Sequence, residues 1–140
     1  MPWPHVEKDT FKRRKPLKYQ TGAEVAETLV MDYSVVTQDS DGRRLVNDGT
    51  LLTKITASSK YGPYDSNATD GRATLSRGSA YFLWGGVDVA LGDKAVAGLF
   101  QNCVFDTGEL TVGPDGYGRY EKATVPDALA NAFPTCTFDD

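Results

Sequence analysis

Short apolar runs alternate with turn residues along most of this chain, and the runs have the length of β-strands. Residues Leu51 to Thr56 are rich in β-branched side chains, which are typical of strands. The continuous apolar run Ala80–Trp84 predicts a strand covered on both faces, and the alternation from Val87 to Leu91 predicts a half-buried strand. Ala95–Phe105 predicts one long strand with a bend or bulge at Gly98. The pattern indicates a β-rich domain.

The flanking segments add turns, further short strands and a helix. Asp39–Gly42 has the residue types of a turn, and Leu110–Val112 predicts another short strand. Within Thr21–Val36 the second half favours a strand, whereas the first half fits a helix loosely and is left open. Pro126–Phe133 predicts a short helix, and Thr135–Phe138 predicts a terminal strand. We therefore expect a mainly β fold with a minor α+β component of one or two short helices.

Length and composition are those of one domain preceded by an arm. The chain has 140 residues, 40% of them hydrophobic, with 14 glycines and 7 prolines that indicate many turns. Residues 1–20 hold three prolines, which block regular ladders and helix interiors, together with the aromatic residues Trp3, Phe11 and Tyr19. We assign residues 1–20 to an extended basic N-terminal arm and residues 21–140 to a single β-rich domain.

Charge is unevenly distributed between these two parts. Residues 1–20 carry six cations and two acids, a net +4, whereas residues 21–140 carry nine cations and seventeen acids, a net −8. Such an arm is expected to bind a negative partner surface. The basic run Lys12–Lys15 fits nucleic acid, a solvated patch or an acidic protein surface, but the acidic body disfavours a duplex-binding domain.

The residue types needed for catalysis or metal binding do not occur in suitable patterns. His5 is the single histidine and lies in the arm, where no rigid setting orients it as a catalytic base. The stretch from Asp65 to Gly71 resembles a calcium loop, but its twelfth position is Ser76, where a bidentate Glu is needed. We therefore expect no enzyme activity, no metal and no cofactor.

Two cysteines, Cys103 and Cys136, are too few for a disulfide framework. We expect both to be reduced and partly buried, because a bridge between them would require an oxidising compartment. No apolar stretch has the length of a secretory or membrane-spanning segment, so we expect a soluble protein of the cytoplasm with no membrane partner.

One segment carries a resemblance to a known family. Between residues 49 and 109 the chain reads, in order, GTLLTKIT (49–56), KYGPYD (60–65), ATDGR (68–72), VDVALGDKAVAG (87–98) and CVFDTGE (103–109). In the order of these segments and in the residues of their turns, residues 45–110 resemble the head-decoration proteins of tailed bacteriophages, the family typified by the phage lambda decoration protein.

The resemblance implies a structural virion protein. Members sit as trimers on the outer surface of the expanded capsid, at local three-fold positions, and stabilise it. Their fold is β-clip-like, a bent β-ribbon with incomplete barrel character. The implied partners are the major capsid protein and two further copies of this chain, and the implied location is the virion. Two alternatives stay open, another phage structural module (a tail or head fibre) and a small β-barrel module that binds nucleic acid through its basic arm.

Two sets of residues are candidates for these contacts. By its position, the arm would bind the capsid, and its candidate residues are Trp3, Phe11, Lys12, Arg13, Arg14, Lys15 and Tyr19. The body would supply the trimer contacts and the core, and the candidates there are Tyr81, Phe82, Leu83, Trp84, Leu99 and Phe100.

Overall fold

The computed structural model describes residues 15–112 and 127–139. These residues contain ten strands, one α-helix and two short 3-10 helices. The strands are β1 Leu17–Tyr19, β2 Val25–Met31, β3 Leu45–Val46, β4 Leu51–Lys54, β5 Tyr61–Pro63, β6 Ala80–Trp84, β7 Val87–Asp88, β8 Lys94–Gln101, β9 Val104–Asp106 and β10 Thr137–Asp139. Helix α1 spans Asp127–Ala132, and the 3-10 helices span Tyr33–Val35 and Thr107–Glu109. The predicted mainly β class is confirmed.

Five strands close into a barrel in the order β2-β5-β4-β6-β8. The neighbours are antiparallel except β2 and β5, which run parallel where Met31 lies opposite Tyr61. The barrel is closed rather than incomplete because β2 pairs with β8 on one edge and with β5 on the other. Its interior is filled by a buried cluster to which Leu29, Met31, Leu52, Tyr81 and Leu83 belong.

A second layer covers part of the outside of this barrel. It consists of the sheet β1-β9-β10 and helix α1, whose side chains form a second buried cluster with residues from β4, β6 and β8. In β6, Tyr81 and Leu83 face the barrel interior, whereas Ala80 and Phe82 face the second layer. The prediction that this run is covered on both faces is therefore confirmed for its first four residues.

Strand β1 joins the end of the predicted arm to the body. Leu17 lies opposite Phe105 and Tyr19 opposite Val104, and the backbone N–H of Asp106 donates to the carbonyl oxygen of Pro16 at 2.8 Å. The last part of the segment predicted as the arm therefore forms strand β1, which pairs with β9. Residues 1–14 lie outside the described residues.

Three predicted strands differ in the structure. Strand β2 occupies Val25–Met31, where the pattern fitted a helix loosely. Tyr33–Val35, predicted as part of a strand, is a 3-10 helix that begins where the Asp32 side chain accepts from the N–H of Ser34. The alternation at Val87–Leu91 ends after two strand residues, so Leu91 lies in a turn with 97% of its surface exposed. Leu110–Val112 contributes a single parallel bridge between Thr111 and Thr50 rather than a strand.

The long strand predicted over Ala95–Phe105 is divided in two. Asn102 has φ of 56°, a left-handed conformation that ends β8 and turns the chain into β9. Gly98 does not form the expected bulge. The register shift lies instead opposite the start of β2, between Val25 and Ala26. Gly98 is required by close packing, since a Cβ there would lie 2.7 Å from Leu29 Cδ1. The C-terminal helix and strand occur as predicted, with Pro126 outside the described residues.

Candidate interaction surface

The six body candidates separate into core residues and one surface residue. Four of them are buried, namely Tyr81, Phe82, Leu83 and Leu99. Phe100 is partly buried and packs against both clusters. Trp84 alone is strongly exposed, with 42% of its surface accessible, so it is the candidate that can contact a partner. Strand alternation places Trp84 on the same face as Phe82, and the difference arises because Trp84 lies beyond the residues that the second layer covers.

The arm candidates are divided by the described range. Lys15 lies at its first position, and Tyr19, at the end of β1, is 58% exposed. The other five, Trp3, Phe11, Lys12, Arg13 and Arg14, lie outside the described residues.

A cleft of about 350 Å³ lies where the arm meets the body. Its walls are formed by Lys15, Pro16, Leu17, Lys18, Gln20, Asp48 and Trp84. Burial raises the pKa of Asp48, against the opposing effect of its hydrogen bonds with the backbone N–H groups of Gly85 and Gly49. The bond from Gly85 measures 2.9 Å. The cleft thus combines two ammonium groups, one partly buried carboxyl and an indole wall, which suits an acidic or aromatic segment of a protein.

An uncharged face continues from Trp84 across two further barrel strands. Ala97 of β8 lies opposite both Trp84 of β6 and Thr28 of β2. Two residues further along the same pair of strands, Val30 of β2 lies opposite Ala95 of β8. We call these five residues the Trp84 face. Val30 is 43% exposed, Thr28 and Ala95 are also exposed, and Ala97 is half-buried.

The Trp84 face is the uncovered part of a surface whose other part is buried. On the same side of the same strands, Phe82 lies opposite Leu99, and both are fully buried beneath the second layer. Sequence reasoning missed Thr28 and Val30 because β2 was not assigned as a strand, and it missed Ala95 and Ala97 because their position beside Trp84 depends on the pairing of β6 with β8. Once β2 is a strand, the period of two places Thr28 and Val30 on one face.

The acidic loop that resembles a calcium site is used for local structure. The Asp65 side chain accepts from the N–H of Asn67 at 2.9 Å, and the Asp70 carboxylate pairs with Nε of Arg72 at 3.0 Å. Within residues 15–112 and 127–139, no three His, Cys, Asp or Glu side chains are grouped to hold a metal ion. Over the same residues, no helix has the length and apolar character needed to cross a membrane.

Comparison with known proteins leaves the family undefined. No protein-family model matches this chain, and no curated protein matches it significantly. The fold itself defines a mainly β domain built on a closed five-stranded barrel, with a partly covered outer surface.

Proposed function

We propose that this chain is a capsid decoration protein, a structural virion protein that binds the outside of an expanded phage capsid at three-fold positions as a homotrimer and stabilises it. The observation that carries the proposal is the position of the Trp84 face. This uncharged surface adjoins the cleft at the base of the basic arm, so one region offers contacts for a second copy and for the capsid. The resemblance of the segments between residues 49 and 109 to head-decoration proteins supports the same function.

The Trp84 face is the proposed contact between subunits of the trimer. Large aromatic side chains that become buried in an interface commonly dominate its energy. The five residues of the face carry no charge, so burying them against another copy removes apolar surface from water without desolvating ions.

The arm is the proposed contact with the major capsid protein. Strand β1 lies at the edge of its sheet and pairs with β9 on one side, so a chain that continues from it is placed to add strands to a partner. Ordering a tail costs conformational entropy, so one arm binds weakly. Three arms on one trimer raise the avidity by ~10²–10⁴.

Capsid stabilisation follows from linkage. A protein that binds the intact expanded shell, and not its dissociated parts, shifts the equilibrium away from disruption. The β-clip-like description of the fold is part of this proposal, and superposition of an experimental structure on those of decoration proteins tests it.

The direct test is to incubate the purified full chain with expanded capsids that lack decoration and to image the particles. We expect density at the three-fold positions, with Trp84 near the axis-related contact. Trp84→Ala should reduce occupancy at least about tenfold, as expected for a large aromatic anchor of an interface. Leu91→Ala is the matched control, because Leu91 is even more exposed and lies in a turn outside the Trp84 face. Capsid-bound density made of isolated monomers would contradict the trimer.

A nucleic-acid function is the alternative supported by the basic run Lys12–Lys15. The same protein should then bind DNA with a steep salt dependence and leave bare capsids undecorated. A tail or head-fibre role would instead show binding to those virion parts and none to the capsid shell.

A further inference from the structure

The two cysteines lie side by side although 32 residues separate them in the sequence. Strands β9 and β10 are parallel with Val104 opposite Thr137, and each cysteine comes directly before one of these residues. The N–H of Thr137 donates to the carbonyl oxygen of Cys103 at 2.9 Å. The strand register therefore makes Cys103 and Cys136 neighbours across adjacent chain segments.

Both sulfur atoms point to the same short stretch of backbone. Sγ of Cys103 donates to the carbonyl oxygen of Gln101 at 3.2 Å, and Sγ of Cys136 donates to that of Phe100 at 3.5 Å. Both are free thiols in the structure.

The two thiols differ in access and in acidity. Cys103 is fully buried in the second cluster, whereas Cys136 is half-buried at its margin. The neighbouring thiol of Cys103 lowers the pKa of Cys136 to about 7, and the same proximity raises the pKa of Cys103. Cys136 is therefore the thiol that a reagent reaches first, and it is the more readily ionised of the two.

We propose that Cys103 and Cys136 form an intramolecular disulfide when the protein meets a small-molecule disulfide oxidant, and that this bond ties the C-terminal segment to β9. In the first step the Cys136 thiolate attacks one sulfur of the oxidant, whose S–S bond breaks and releases one thiolate. In the second step Cys103 loses its proton and attacks Sγ of Cys136, which releases the second thiolate. The protein dithiol is oxidised by two electrons, and one oxidant disulfide is reduced to two thiols.

The order of the steps follows from the structure. While Cys136 is a thiolate, its negative charge opposes ionisation of Cys103. Once Cys136 is a mixed disulfide that charge is gone, and Cys103 can ionise beside its target. The bond closes a loop that includes helix α1, so it limits the unfolded ensemble and retains α1 and β10 in the second cluster.

The biological consequence, unlike the chemistry, rests on the proposed function. A decoration protein assembled in a reducing cytoplasm would carry the dithiol, and release of the particle into oxidising surroundings would convert it to the disulfide. The decoration layer would then become more resistant to unfolding after release.

The test uses the purified full chain and oxidised glutathione, without capsids, so it is independent of the proposed function. Intact mass should show a transient glutathione adduct and then a product that lacks two hydrogen atoms, with peptide mapping that joins Cys103 to Cys136. Cys103→Ala should stop at a lasting adduct on Cys136. In Cys136→Ser the remaining thiol, Cys103, should react at least about tenfold more slowly, because it is fully buried.

Thermal unfolding supplies a second readout. Oxidation should raise the Tm of the natural chain by about 5–15 °C, as expected for a loop of this length, and should leave that of Cys136→Ser unchanged. Cys136→Ser changes a half-buried position, so it remains informative even if Cys103→Ala does not fold. A glutathione adduct that persists on the natural chain, a disulfide between two chains, or resistance of both thiols to a large excess of oxidant would each overturn the proposal.

Discussion

Two residues of the barrel show how the surroundings restrict the residue type. At Gly98 the restriction is the space available, and at Tyr81 it is a hydrogen-bond partner. Gly98 lies in β8 opposite Leu83 and Glu27, where neighbouring side chains occupy the place of a Cβ. Tyr81 places a phenol inside the barrel, and its hydroxyl donates to Oε2 of Glu27 at 2.7 Å. Its ring packs edge-on against Tyr61 and Phe100.

Gly98→Ala should destabilise the protein by about 2–3 kcal/mol, as expected for overpacking in a well-packed core. The added methyl group would lie 2.7 Å from Leu29 Cδ1 and 2.8 Å from Cβ of Tyr81, and the latter atom is held by its own strand. Urea unfolding measures the change. Gly108→Ala is the control, because its nearest neighbour is 3.6 Å away, and it should change stability by less than ~0.5 kcal/mol. Equal effects of the two variants would show that packing at Gly98 is looser than described.

Tyr81→Phe should lower the free energy of unfolding by about 1–2 kcal/mol at neutral pH, since it removes a hydrogen bond to a carboxylate.

The same change should also alter how stability depends on pH. Burial, and then the bond to Glu27, raises the pKa of Tyr81 above the ordinary 10.0. A group with a raised folded pKa contributes stability that is complete below the unfolded value and is lost as the pH rises above it. Stability of the natural chain should therefore fall above about pH 10, and the fall should be smaller in Tyr81→Phe. Parallel pH profiles for the two proteins, recorded by thermal unfolding, would refute this.

Among the elements, β1 has a double role, because it completes the second layer and is also the root of the arm. Leu17 packs against the second cluster, and Lys18 forms an ion pair with Asp139 of β10 at 3.4 Å. Sequence reasoning treated the whole of residues 1–20 as separable from the body. The pairing of β1 with β9 changes that expectation.

Deleting residues 1–14 should leave the stability of the body within ~0.5 kcal/mol of the full chain and should reduce capsid binding sharply. Deleting residues 1–20 should in addition destabilise the body by about 2–4 kcal/mol, because β9 loses its antiparallel partner and the second cluster loses Leu17. Chemical unfolding and capsid co-sedimentation measure the two effects. If both deletions are equally stable, β1 does not support the second layer; if the shorter one binds capsids fully, the arm is a passive tail.

At the scale of the whole molecule, the proposed function gives a basic arm and an acidic body separate effects on the speed and the strength of association. Long-range charge mainly sets the rate at which partners meet, whereas buried aromatic anchors mainly set how long they remain together. The arm carries both kinds of residue, the basic run Lys12–Lys15 and the aromatic Trp3 and Phe11.

Changing all four residues of Lys12–Lys15 to Ala should slow capsid association about tenfold or more and flatten its dependence on salt. Changing Trp3 and Phe11 to Ala should leave association nearly unchanged and speed dissociation. Binding kinetics on immobilised capsids at two salt concentrations distinguish the two sets. If the charge variant loses DNA binding and keeps capsid binding, the nucleic-acid function is favoured instead.

Local pattern was enough to locate several elements. The apolar run Ala80–Trp84 predicted a strand with two covered faces, and the residue types of Pro126–Phe133 predicted the C-terminal helix. These predictions succeed because side-chain alternation, turn residues and caps act over a few neighbouring positions. The same reasoning failed at Asn102, whose left-handed backbone divides the predicted long strand, because that conformation depends on the change from one sheet to another.

The sequence by itself determined the mainly β class, the basic arm on an acidic body and the apolar segments that build the core, since these depend on composition and short-range periodicity. Only the tertiary structure decided that the barrel closes, because the parallel pairing of β2 with β5 joins segments about thirty residues apart. It also decided which end of an apolar face remains uncovered, so that Phe82 is buried while Trp84 on the same face is exposed. The meeting of Cys103 with Cys136 has the same origin, the register of β9 against β10. Contacts between distant segments depend on how the layers pack together, and no local pattern records that packing.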